Sequence, residues 1–194
     1  TINMGGIQST KKYVLLYGPS GSGKSQLLYS QNSTIRLFEP IQPTVGVNFE
    51  EISLGNQVLG VFDISGELKQ SKMINIVASS VDIAGVIFVV NISDIENIDL
   101  AKTQLKLVLA DPNLEDGETH LFVIYNLKSS DRDRFSWMIT SSLDEGLGLK
   151  KMKERYRLKF VSSAIYDCST NNSEVKDEES LEFKMKDFMM SLFK

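Results

Sequence analysis

Short apolar runs alternate with longer amphipathic ones along this 194-residue chain. Residues 13–17 (YVLLY) are continuously apolar, too few for a helix, and halt at a glycine-rich break, which reads as a buried strand. A helix opens at residues 25–30. Residues 47–54 and 58–64 read as two strands joined at Gly55 and Asn56 in a hairpin turn. Residues 84–91 (AGVIFVVN) form a strongly apolar central strand. Residues 94–110 read as a helix, with Leu100, Leu105, Leu107, Val108 and Leu109 on and around an apolar face, and Asp111-Pro112-Asn113 stops it. Residues 120–125 make another strand, 131–147 a helix ending at Gly148, 159–166 the last strand, and about 180–193 a closing helix. Strands alternating with helices predict an α/β fold. Its six-stranded sheet is mostly parallel, with helices on both faces and one antiparallel edge strand from the 47–64 hairpin. Ligands of such sheets bind beyond the carboxyl ends of the strands.

Composition sets limits on this picture. Hydrophobic residues make up 42% of the chain, enough for one globular core, and the one low-complexity tract is the polar, acidic stretch 171–182. A formal net charge of −4 disfavours a nucleic acid polymer as partner, because neutralising phosphates takes a clustered basic surface. The single cysteine, Cys168, allows no internal disulfide and suits a reducing, cytoplasmic setting. The longest apolar stretch, 84–90, is far short of the roughly 20 residues that a membrane-spanning helix takes. No basic-then-apolar leader is visible in the opening residues. With one histidine and one cysteine, neither zinc nor a thiol nucleophile has its companions; His120 reads as structural or solvent-facing.

The chemistry concentrates between the first strand and first helix. Gly18, Pro19, Ser20, Gly21, Ser22, Gly23, Lys24 and Ser25 fit G-x-x-x-x-G-K-[ST], with a strand before and a helix, beginning with Gln26, after. Glycines let the backbone wrap so that successive N–H groups face phosphate oxygens, and the helix N-terminus adds its positive end. Lys24 reaches the β- and γ-phosphates, and the Ser25 hydroxyl ligates Mg²⁺. Two further segments narrow the reading. Thr44 lies between the first helix and the hairpin, and Asp63 ends the next apolar strand. An aspartate there can hold Mg²⁺ through its water shell, a threonine can join only when the triphosphate is present, and the Gly66 N–H can meet the γ-phosphate. Two loops ordered by one phosphate group make a switch.

These residues resemble a family. Pro43-Thr44-Val45-Gly46-Val47-Asn48-Phe49-Glu50 is similar to the switch I segment of Arf and Arf-like (ADP-ribosylation factor-like) small GTPases. Phe62-Asp63-Ile64-Ser65-Gly66-Glu67 looks like a modified W-D-x-G-G-Q of their switch II. The spacings agree, 20 positions from Lys24 to Thr44 and 19 from Thr44 to Asp63, and residues 147–156 resemble the segment before the family's last strand. The resemblance implies a Ras-like P-loop fold, with residues 1–11 as an N-terminal extension and 12–194 as the G domain. It implies GTP or GDP and Mg²⁺ as ligands, and effector, exchange-factor and activating proteins as partners. It also implies a place in intracellular trafficking.

Four departures qualify what the resemblance implies. Glu67 stands where the family has the glutamine that orients the attacking water. An ionised carboxylate cannot donate a hydrogen bond and sits badly beside a polyanion, so hydrolysis is expected to be weak unless Glu67 points to solvent. The guanine-reading Asn-Lys-x-Asp is spread over Asn126, Lys128 and Asp131, two positions longer. Asn126 would steady the loop, Lys128 lie along the base and Asp131 accept from guanine, although Asp131 equally suits a helix cap. Cys168 and Ser169 fall where the family's base-covering loop lies. Finally, the stretch from Met4 to Ser9 (MGGIQS) matches a myristoylation pattern if Met4 begins the natural chain, which leaves room for weak peripheral membrane contact. The alternative to a switch is a pseudo-GTPase, a nucleotide-binding scaffold acting through protein contacts. A P-loop kinase fits poorly, because the basic residues of 150–159 come too late for a lid.

Overall fold

In the computed structural model the described residues are 10–31, 44–54, 57–68, 72–93, 98–115, 117–131, 140–166 and 181–194. Six strands build one sheet: β1 (Thr10–Tyr17), β2 (Val47–Leu54), β3 (Gln57–Ile64), β4 (Ile83–Asn91), β5 (His120–Asn126) and β6 (Phe160–Tyr166). Their order is β2-β3-β1-β4-β5-β6. Only β2 runs antiparallel, paired with β3 from Val47 opposite Ile64 to Leu54 opposite Gln57; the other pairs are parallel. This is the expected sheet with its one reversed edge. The helices are α1 (Lys24–Gln31), α2 (Lys72–Ser80), α3 (Ile98–Leu109), α4 (Thr140–Leu147), α5 (Leu149–Arg155) and α6 (Leu181–Leu192).

Alternation along the strands sends side chains to two cores. On β4, Val86, Phe88 and Val90 join the core that also holds Leu105 and Val108 of α3, Leu143 of α4 and Met152 of α5. Ile87 and Val89 point the other way, to Leu27 and Leu28 of α1 and Phe188 of α6. Every residue of β5 is buried, as befits a strand covered on both faces. At β1, Val14 and Leu16 face one core while Leu15 and Tyr17 face the other. The strand therefore ends at Tyr17 with its carboxyl end rigidly placed.

Some elements differ from the sequence expectation. Helix α2 was not anticipated, yet its buried Ile74, Val77 and Ala78 carry a helical spacing within a nine-residue segment. Helix α5 likewise follows Gly148 directly; that glycine takes a left-handed conformation, ends α4 and starts the next helix. Within the segment 131–147, Asp131 closes a 3-10 turn (Ser129–Asp131), Thr140–Leu147 is helical as expected, and 132–139 lie outside the described residues. Strand β1 begins at Thr10, two positions before the expected domain start. His120 is buried, bonds to the Ser191 hydroxyl through Nδ1 at 2.7 Å and stacks on Phe160, so it is structural. Among the described residues no helix is long and apolar enough to cross a membrane.

Candidate functional site

The carboxyl ends of β1 and β3 carry the site. The loop after Tyr17 turns back at Gly18, whose φ is +144°, and a side chain there would run into the carbonyl of Val89 on β4. Only glycine lets this backbone cross the sheet so closely. The loop then wraps into the first turn of α1, and a cavity of about 290 Å³ opens above it. Ser20, Gly21, Gly23, Lys24, Ser25, Gln26, Thr44, Gly66 and Glu67 line it, all anticipated, together with Ser65, which was not.

Lys24 is 6% exposed, and its ammonium donates to the carbonyls of Gly18 at 2.9 Å and Pro19 at 3.0 Å. Burial lowers its pKa to about 8, partly offset by the negative charge of Asp63. A desolvated cation held by two carbonyls beside the cavity suits an anion well.

Beneath the loop lies a cluster of three oxygens. Ser25 Oγ donates to Asp63 Oδ2 at 2.8 Å and lies 2.9 Å from Thr44 Oγ1; Thr44 Oγ1 reaches the same carboxylate oxygen at 3.2 Å. Asp63 is fully buried, and its Oδ1 has no hydrogen-bond donor. Burial pushes its pKa up, while the Ser25 hydroxyl, the Lys24 charge and the Thr44 hydroxyl pull it back. One buried carboxylate with an unsatisfied oxygen and two hydroxyls is a donor set that fits a hard divalent cation such as Mg²⁺.

The two loops also touch each other and the phosphate loop. The Ser65 N–H donates to the Gly46 carbonyl at 3.0 Å, extending the β2–β3 ladder past the strands. Gly66 packs so closely on the phosphate loop that a Cβ would collide with the backbone of Gly18, Pro19 and Ser20. Its carbonyl accepts from Gln104 Nε2 of α3 at 3.0 Å. Gln104 escaped the sequence reading; the cue was a polar residue on the apolar face of Ala101, Leu105 and Val108.

The base-reading candidates spread further. Asn126 is buried, and its Nδ2 donates to the Ser22 carbonyl at 2.9 Å, tying the end of β5 to the phosphate loop. Lys128 is exposed, and Asp131 is half-buried in the 3-10 turn, where its N–H bonds to the Lys128 carbonyl at 2.9 Å. Cys168 and Ser169 lie outside the described residues.

A sheet of this order, with a phosphate loop at its β1–α1 junction and two flanking loops drawn onto that loop, is the architecture of the small GTPases. Within that class the chain belongs to the ADP-ribosylation factor (Arf) family, whose family model matches residues 2–179. It is 29% identical over 154 residues to ADP-ribosylation factor-like protein 1 of Saccharomyces cerevisiae, a match covering 78% of each chain. In fold it is similar to the Arl6 BBS3 small GTPase of Trypanosoma brucei, solved with the bound nucleotide analogue GppNp. The TM-score is 0.73 and the identity 20%, over 95% of this chain and 98% of that one. A family of GTP-binding switches accounts for the phosphate loop and for the two loops gathered around it.

Proposed function

We propose that this chain is a GTP-binding switch that hydrolyses its nucleotide slowly and recruits partner proteins when loaded with the triphosphate. One observation carries the reading: Ser25 of the phosphate loop, Thr44 of switch I and Asp63 of switch II bring hydroxyl and carboxylate oxygens within 3.2 Å of each other. Mg²⁺ held by these three would neutralise developing charge on the phosphates. The backbone amides of residues 18–26 and the Lys24 ammonium bind the phosphates, and the Gly66 N–H meets the terminal one. Asn126 fixes the loop, while Lys128 and Asp131 read guanine, with Cys168 and Ser169 covering the base. Residues 12–194 act as the G domain and 1–11 as an extension, with a cytoplasmic location and peripheral membrane contact through that extension.

Partner recruitment draws support from the surface around the two loops. Val45 is 85% exposed immediately beside Thr44, and Phe49, Leu68 and Ile76 are exposed nearby. Apolar side chains next to γ-phosphate-sensing residues give effector, exchange-factor and activating proteins a state-dependent surface. The longer interval from Asn126 to Asp131 favours a second reading, a scaffold that holds its nucleotide permanently or holds none. Calorimetry with GTP, GDP and ATP separates the two. Tight binding of both guanine nucleotides, weak binding of ATP and different partner affinities of the GTP and GDP forms support the switch.

Glu67 lines the cleft, exposed and one residue past Gly66. A carboxylate there accepts but cannot donate, and it opposes charge gathering on the terminal phosphate. In single-turnover assays Glu67→Gln should hydrolyse GTP about tenfold faster or more, given how strongly such a group orients water. An unchanged rate removes slow hydrolysis from the account.

A further inference from the structure

Gln104 is 1% exposed on a helix face otherwise made of Ala101, Leu105 and Val108. A buried amide costs free energy unless it is hydrogen-bonded. Its Nε2 has the Gly66 carbonyl, but its Oε1 is buried without a partner. Helix α3 therefore keeps a half-satisfied amide where leucine or methionine would pack at no polar cost. The one bond it makes crosses 38 positions of sequence to the loop that carries Glu67.

That bond has a geometric consequence. The Gly66 carbonyl and the Glu67 N–H belong to one planar peptide unit. Gln104 holds the carbonyl side at 3.0 Å. On the other side the Glu67 N–H donates to the Ser65 hydroxyl at 3.5 Å, a long and weak bond. Fixing the carbonyl sets ψ at Gly66 and hence the direction in which Glu67 leaves the loop. Gly66 cannot slide toward the phosphate loop to compensate, because it already packs on the backbone of Gly18 to Ser20.

We propose that Gln104 is a positioning residue for the γ-phosphate side of the cleft: α3 clamps the Gly66–Glu67 peptide and so presets switch II. The proposal rests on the GTP-switch reading above. Part of the ordering that a terminal phosphate would impose on this loop is supplied by the chain itself. The clamp acts on the peptide that directly follows the Gly66 N–H, the group that meets the γ-phosphate, and leaves the α- and β-phosphate contacts alone, so it must discriminate triphosphate from diphosphate.

The test uses the full chain and its Gln104→Met variant, which keeps the length and fills the apolar face. Dissociation of fluorescent GDP and of a fluorescent non-hydrolysable GTP analogue is followed with Mg²⁺, alongside amide hydrogen exchange at residues 65–68. The analogue should leave about fivefold faster from Gln104→Met, the effect of one net hydrogen bond, with GDP within about twofold of wild type. A purely structural role would move both nucleotides alike, and equal changes, or none, overturn the proposal. Should Gln104→Met not fold, Ser65→Ala removes the other side of the clamp without touching α3. It must then raise the triphosphate rate selectively, and an unselective effect overturns the clamp. Should the wild-type chain bind no guanine nucleotide, the switch reading fails while exchange still decides the clamp. Faster exchange at the Glu67 amide in Gln104→Met supports it, and unchanged exchange overturns it.

Discussion

The two ends of the nucleotide cleft are built differently. At the phosphate end each side chain is held by several short contacts: Lys24 by two carbonyls, and Ser25, Thr44 and Asp63 by one another. At the base end, among the described candidates, Asn126 is buried and donates to the Ser22 carbonyl, while Lys128 is exposed and Asp131 sits half-buried in a 3-10 turn. The phosphate end depends on backbone and hydroxyl groups that must be packed to within tenths of an ångström, so the fold itself assembles it. On the switch reading proposed above, the base end is a surface turn, and its register would set which nucleotide is preferred. Substitutions at the first end should change whether nucleotide binds, and at the second, which one.

The largest effect should come from Asp63→Asn, which keeps the volume and the acceptor for Ser25 but removes the charge. Mg²⁺-dependent affinity for a GTP analogue should fall about 100-fold, because metal stabilisation of phosphate charge is worth several kcal/mol; titration with and without Mg²⁺ measures it. A smaller effect is due at the other end. Asp131→Ala should cut the preference for GTP over ATP about tenfold or more, since a bond to a charged acceptor contributes roughly 1.5–3 kcal/mol. Competition binding measures this, and an unchanged preference with a lower melting temperature would make Asp131 a helix cap only. The smallest effect concerns stability. Lys24 has a pKa of about 8 in the fold against an ordinary 10.5, so at neutral pH the fold carries a buried charge that the unfolded chain holds more easily. The proton leaves the folded state first as pH rises, so that cost disappears between about pH 8 and 10.5. Denaturant unfolding should therefore show Lys24→Met more stable than wild type at pH 7.5, with the gap narrowing by about 1 kcal/mol or more by pH 10.

The same contrast explains what could be read from the sequence. The sheet and the phosphate loop announce themselves through local pattern: an apolar strand, glycines, Lys24 and Ser25 in eight consecutive positions. Thr44 and Asp63 were legible because each sits in a short motif at a strand end. Gln104 was not, because its meaning lies in a contact to Gly66, 38 positions away, and nothing local distinguishes it from a misplaced polar residue. Asn126 could be assigned to steadying a loop, but its actual partner, the Ser22 carbonyl, is 104 positions distant. Helices α2 and α5 were missed for a different reason: they are short, and their apolar stripes have only two or three members. Of the segment 131–147, residues 140–147 are helical as the pattern implied, and only Asp131, the last residue of the 3-10 turn, departs from it among the described residues.

On the switch reading, Thr44 and Asp63 close on one triphosphate through a cation shared with Ser25. Thr44→Val removes the hydroxyl and keeps the shape. Dissociation constants for GDP and for a non-hydrolysable GTP analogue, measured with Mg²⁺ on wild type and Thr44→Val, test the claim most directly. Binding of the analogue should weaken about tenfold or more while GDP stays within about twofold, because the threonine joins only when the γ-phosphate is present. Equal weakening of both ligands, or none of either, would contradict it.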